Sequence, residues 1–150
     1  DGKVPAIVHD GVVISESYAI AIYVSDLAPE SGLGAPAGSA ERGPFLAWLM
    51  WLATEMEPVI FGRLYGGGGG DPRAERNYQQ VIRRLETALA AGPYLMGDRF
   101  TAVDVMAGST IAWARHAFPE SAARDPCPGR TAARRAPPGP SANDAETVDA

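Results

Sequence analysis

The chain has 150 residues, 46% of them hydrophobic, enough for one ordinary domain or two small ones with a buried core. Eighteen acidic against 13 basic residues give a net charge of −5 with no basic stripe, so nucleic acid is not an expected partner. The longest apolar run, Phe45 to Ala53, is far below the roughly 18–20 residues that cross a bilayer, so no membrane association is expected, and the single Cys127 excludes an internal disulfide framework and fits a reducing compartment.

The first element is a hairpin. Asp10-Gly11 lies between two β-branched runs, 4–8 and 12–15, and glycine accepts the positive φ that a tight two-residue turn demands. The apolar period then changes from two to the helical one. Ala19, Ile20, Tyr23, Val24 and Leu27 share one face of a helix that begins at about Ser17. The free N–H groups at its start, its positive dipole end and the Ser17 hydroxyl converge on one spot that suits a carboxylate. Taken singly, Ser17 also reads as an N-cap worth about 1 kcal/mol, and Glu16 as a carboxylate at a positive helix end worth about 0.3–1 kcal/mol.

A Pro/Gly/Ser-rich stretch follows, which predicts a linker over 29–39 between a hairpin-and-helix unit, 1–28, and a helical remainder, 40–118. Phe45, Leu49, Leu52, Met56, Val59 and Ile60 keep helical spacing, with Pro58 expected to kink or split that helix. Gly66 to Gly70 break the chain as a flexible turn; no strand precedes them and no Lys-Ser/Thr pair follows, as a phosphate loop requires. Asp71-Pro72 restarts a helix as N-cap and N1, its buried face marked by Tyr78, Val81, Ile82, Leu85 and Leu89, and Gly92-Pro93 ends it. Thr101 then caps a last helix: its side chain is expected to accept from the Asp104 N–H while the Asp104 carboxylate returns to the Thr101 N–H, with Phe100 and Val105 at the staple positions.

Other chemical groups read as structural. His9 and His116 lack partners at metal-ligand spacing, so no metal site is predicted. Glu55 and Glu57, two apart on a helix, do not face each other and are no acid/base pair. Trp48 and Trp51 read as core, and Arg83, Arg84 and Glu86 as a solvated helix face. Residues 119–150 hold one large aliphatic side chain, Val148, and are expected to be a disordered tail, with a reading-frame slip near Pro119 to Arg124 as one origin.

Taken together, Gly2-Lys3-Val4-Pro5-Ala6, Asp10-Gly11 and Glu16-Ser17-x-Ala19-Ile20-x-x-Tyr23 resemble the second half of the glutathione-binding domain of cytosolic, bacterial-like glutathione S-transferases. The Gly97 to Val105 cluster resembles the buried capping motif of that family's helical domain. The resemblance covers residues 2–118. It implies an α+β, mostly α fold: part of a thioredoxin-like domain, a β-hairpin plus helix, followed by the family's all-α C-terminal domain. It further implies a cis peptide bond before Pro5, with the Val4 backbone N–H and C=O offered to the cysteinyl part of glutathione. Ser17 and the helix tip would hold the γ-glutamyl carboxylate, and Glu16 its ammonium. Glutathione would be the co-substrate, conjugated through its thiol to a small electrophile in detoxification, by a cytoplasmic homodimer. In the resembled family a strand-helix-strand unit, bearing the Tyr, Ser or Cys that serves the thiolate, precedes these motifs. On that reading the chain is a fragment with no catalytic residue of its own, and a thiol of pKa near 8.5 is only a few per cent ionised at pH 7. A non-catalytic binding or scaffold protein of transferase fold and an inactive truncated relic are the alternatives.

Overall fold

The computed structural model describes Gly2, residues 4–65 and residues 71–117; the expected glycine turn at 66–70 and the tail at 119–150 lie outside the described residues. The chain opens with an antiparallel hairpin, β1 (Ala6–His9) and β2 (Val12–Ser15), paired from Ala6↔Ser15 to His9↔Val12. Asp10 and Gly11 both take positive φ, 50° and 76°, which gives the two-residue turn the twist of its strands. β1 starts two residues later than the apolar run, because Pro5 has no N–H to donate to a ladder. The cross-strand pair Ile7 and Ile14 is half-buried, whereas Val8, Val12 and Val13 are exposed.

Helix α1 (Ser17–Leu27) lies against the hairpin on one side and the helical layer on the other. Its stripe toward the helical core is Tyr18, Ala21, Ile22 and Ser25, not the face that the apolar spacing suggests; Val24 and Leu27 are about half exposed. The helix is apolar on several sides because it serves two contacts, so periodicity alone does not choose between them.

The segment after α1 is pinned. Pro29–Ser31 forms a 3₁₀ turn, Ala35 is buried, and the Ala102 N–H donates to the Leu33 carbonyl at 2.8 Å. Arg42 forks onto both oxygens of Asp26 at 2.6 and 2.9 Å and reaches the Ala35 carbonyl. From the far side Arg99 donates to the carbonyls of Gly32 and Gly34 and to Glu41. Gly34 is required for this approach, since a Cβ there would lie 2.8 Å from the Ser25 Cβ.

One long helical rod then runs as α2 (Arg42–Trp51), a π turn (Leu52–Met56) and α3 (Glu57–Tyr65). The π turn ends just before Pro58, and the wider hydrogen-bond register absorbs the missing proline N–H that was expected to kink or split the helix. At 24 residues the rod is long and apolar enough to cross a bilayer by length and composition alone. Its stripe of Phe45, Leu49, Leu52, Met56 and Ile60 is buried in the protein core instead.

Helix α4 (Pro72–Ala91) begins as the sequence predicts, with the Asp71 carboxylate accepting the Arg73 N–H at 2.8 Å, and buries Tyr78, Val81 and Leu85. Helix α5 (Ala102–Ala117) completes the core through Val103, Ala107, Thr110 and Ala114. At its start the Asp104 carboxylate accepts from the Thr101 N–H at 2.9 Å and the Leu95 N–H at 2.8 Å. The Thr101 hydroxyl accepts from the Val103 N–H, one residue earlier than expected. Phe100 packs edge-on against Tyr94 at 5.5 Å, the ring contact in which the expected staple residue takes part.

Candidate functional site

The register of the hairpin assembles the site. The last pair of the sheet, Ala6↔Ser15, leaves Val4 and Pro5 directly before β1 and Glu16 and Ser17 directly after β2, at the end of the hairpin remote from the turn. The Val4–Pro5 peptide bond is cis, as the resemblance implies, and Val4 is 94% exposed. All four residues singled out from the sequence therefore sit at one end of one two-stranded sheet.

The α1 tip meets them there. Its first helical bond runs from the Ile20 N–H to the Glu16 carbonyl at 2.9 Å, so the N–H groups of Ser17, Tyr18 and Ala19 stand ahead of the first closed turn. No acidic residue occupies that turn, and the Glu16 side chain at the N-cap position makes no capping bond, so the free N–H groups of the tip are not capped by a side chain. Ser17 is the first helical residue and half-buried; Glu16 holds the N-cap position and is exposed. Glu16 adopts φ 71°, ψ 119°, a left-handed φ that L-residues rarely take, and such outliers gather at ligand-binding positions. A helix tip, an exposed peptide group and an exposed carboxylate in one place can receive an anion, a peptide and an ammonium together.

Behind the tip lies a buried polar cluster that sequence reasoning missed. Tyr18 is 7% exposed, and its hydroxyl ends beside Thr110 without a partner at hydrogen-bonding geometry. The Thr110 hydroxyl donates to the Glu57 carboxylate at 3.2 Å, joining α5 to α3. Burial, then the nearby Glu57 charge, pushes the Tyr18 hydroxyl up to about 12, so it stays neutral at physiological pH. Glu57 directly follows the π turn, a device frequent at functional sites.

Two aromatic groups lie in the helical layer. Trp48 and Trp51 meet edge-on at 5.4 Å, and Arg84 lies 4.7 and 4.3 Å from their ring centres. Arg84 is thus engaged by the helical rod, where the sequence reads it as merely solvated. Phe61, Tyr65 and Trp113 form a second group, with Phe61 and Trp113 edge-on at 5.2 Å. His9 bonds the Tyr23 hydroxyl through Nδ1 at 2.7 Å. Among the described residues no group of three or more potential metal ligands occurs.

A hairpin leading into a helix, mounted on an all-helical layer through a capped α5, defines a protein of thioredoxin-like-plus-helical architecture. The family model "Glutathione S-transferase, C-terminal domain" matches residues 71–135. Glutathione S-transferase GstA of Escherichia coli O157:H7 is 29% identical over 117 residues, 75% of this chain and 58% of that protein. A glutathione transferase structure from Methylococcus capsulatus is 29% identical with a TM-score of 0.70, covering 89% of this chain and 67% of the other. A sphingomonad glutathione S-transferase complexed with glutathione is 26% identical with a TM-score of 0.63, covering 89% and 74%. The family-model match, the bacterial relatives and the structural neighbours together support a glutathione S-transferase family member. It spans less than two thirds of the length of the first curated relatives it matches.

Proposed function

We propose that this chain carries the γ-glutamyl and backbone-recognition half of a glutathione site. The Ser17 hydroxyl and the open N–H groups of the α1 tip take the γ-glutamyl carboxylate, and Glu16 pairs with the ammonium. The Val4 backbone N–H and C=O hold the cysteinyl peptide, with Pro5 shaping the loop. The observation that carries this reading is that the last sheet pair, Ala6↔Ser15, brings the exposed Val4 and the uncapped start of α1 to the same end of the hairpin. The match to a sphingomonad transferase complexed with glutathione supports it. The activity served is conjugation of the glutathione thiol to a small electrophile, by a cytoplasmic homodimer. The residues named here bind and orient the tripeptide; none of them ionises the thiol.

Retention of the full chain on immobilised glutathione, with the dissociation constant of free glutathione measured by calorimetry, tests the assignment. A hydrogen bond to a charged group is worth about 1.5–3 kcal/mol, so Ser17→Ala is expected to weaken binding roughly ten- to a hundredfold. Equal binding by wild type and Ser17→Ala removes the carboxylate assignment. No retention together with capture of a protein partner would turn the reading to the non-catalytic scaffold.

A further inference from the structure

Tyr18, Thr110 and Glu57 form a partly buried polar cluster where α1, α5 and α3 meet. Tyr18 immediately follows Ser17, so the seat of its buried side chain anchors one residue of the turn that carries the tip's free N–H groups. α1 packs on α5, and α3 packs on α5, so Tyr18 enters where the Thr110–Glu57 bond clasps those two helices together. Tyr18 and Thr110 are 7% and 4% exposed, which leaves the ring little room to relocate while that bond is made.

We propose that Glu57 and Thr110 are positioning residues: their bond forms the slot that seats Tyr18 and thereby holds the α1 tip in its ligand-receiving orientation. In its consequence for affinity this rests on the glutathione reading above. When the bond is lost, the tip samples orientations that do not bind, and the apparent dissociation constant rises in inverse proportion to the competent fraction. A competent fraction cut to about one tenth weakens binding about tenfold. Tyr18→Phe keeps the ring in the slot and leaves the tip in place.

The test is amide hydrogen exchange on the full chain, read at Ile20, whose N–H makes the first closed bond of α1, and at Val81 and Leu85 in α4 as the core reference. Thr110→Val, which keeps the volume and removes the donor, is expected to speed exchange at Ile20 about tenfold with the α4 amides unchanged. Glu57→Ala should do the same, and Tyr18→Phe should leave Ile20 as in wild type. Glutathione binding, titrated on the same proteins, should weaken about tenfold in Thr110→Val and Glu57→Ala and not in Tyr18→Phe. Unchanged exchange at Ile20 in both variants, or equal acceleration at Ile20, Val81 and Leu85, overturns the positioning role. Should the wild type bind no glutathione while Ile20 responds as stated, the slot stands and the ligand reading fails.

Discussion

Replacing Asp104 by alanine removes the acceptor on which the start of α5 is built. Its carboxylate receives the backbone N–H groups of Leu95 at 2.8 Å and Thr101 at 2.9 Å, and the Thr101 hydroxyl at 3.3 Å. Leu95 is 7% exposed and Thr101 wholly buried, so water cannot take over both donors without opening the turn. A buried donor left without a partner costs about 1–3 kcal/mol, which for two donors gives about 2–6 kcal/mol. That is a large share of the roughly 5–15 kcal/mol by which domains are stable, and it corresponds to a fall in Tm of about 5–20 °C. Urea titration followed by tryptophan fluorescence and by circular dichroism measures it, with Asp104→Asn as the graded control. The asparagine keeps one acceptor oxygen and should lose about half as much. An Asp104→Ala protein within about 1 kcal/mol of wild type would refute the claim that this cap organises the helical layer.

Two further outcomes follow from side chains that tie separate elements together. The Arg42 fork holds the Asp26 carboxyl below its ordinary range, first by hydrogen bonding and then by charge. A native pKa below the unfolded one gives stability that is fully present above the ordinary carboxylate range near 4 and is lost as pH falls through the depressed native value. Asp26→Asn should therefore cost up to about 1 kcal/mol at pH 7, and the difference from wild type should shrink in urea titrations as pH falls below the ordinary carboxylate range; a gap independent of pH would contradict the pairing. Removing the guanidinium that faces Trp48 and Trp51, as in Arg84→Gln, should cost about 0.5–1 kcal/mol and change the tryptophan emission spectrum. An emission spectrum identical to wild type would place Arg84 away from the rings in solution.

Local chemistry made some elements legible from sequence and left others hidden. The hairpin was readable because Asp10-Gly11 specifies a turn and the turn specifies the register. The α4 start was readable from Asp71-Pro72, and the α5 cap from Thr101 and Asp104, since each device spans at most four residues. The core-facing stripe of α1 was not, because Tyr18 and Ser25 lie on it while Val24 and Leu27 do not. Two surfaces compete for that helix, and apolar spacing sums over both. The Glu57–Thr110 bond joins residues 53 apart, and Arg84 finds its tryptophans on another helix, so neither leaves a local signal. For the candidate site, the four residues were legible as a motif, whereas their common location is a property of strand pairing.

That pairing makes the site depend on the turn at the opposite end of the hairpin. Side chains alternate faces with a period of two, so a slip of one residue would turn Ile7 and Ile14 outward and bring exposed valines against α1. The same slip would set Ala6 opposite Ile14 or Glu16 instead of Ser15, shifting the exposed peptide group relative to the helix tip. Burial of the isoleucine pair and alignment of the ligand-facing groups are thus selected by one register, and Asp10 and Gly11, both at positive φ, fix it. The tip's other constraint comes from the helical layer through Tyr18. Position along the sheet is set by the hairpin and orientation by the core, so the carboxylate-binding turn has a defined geometry only where the two meet.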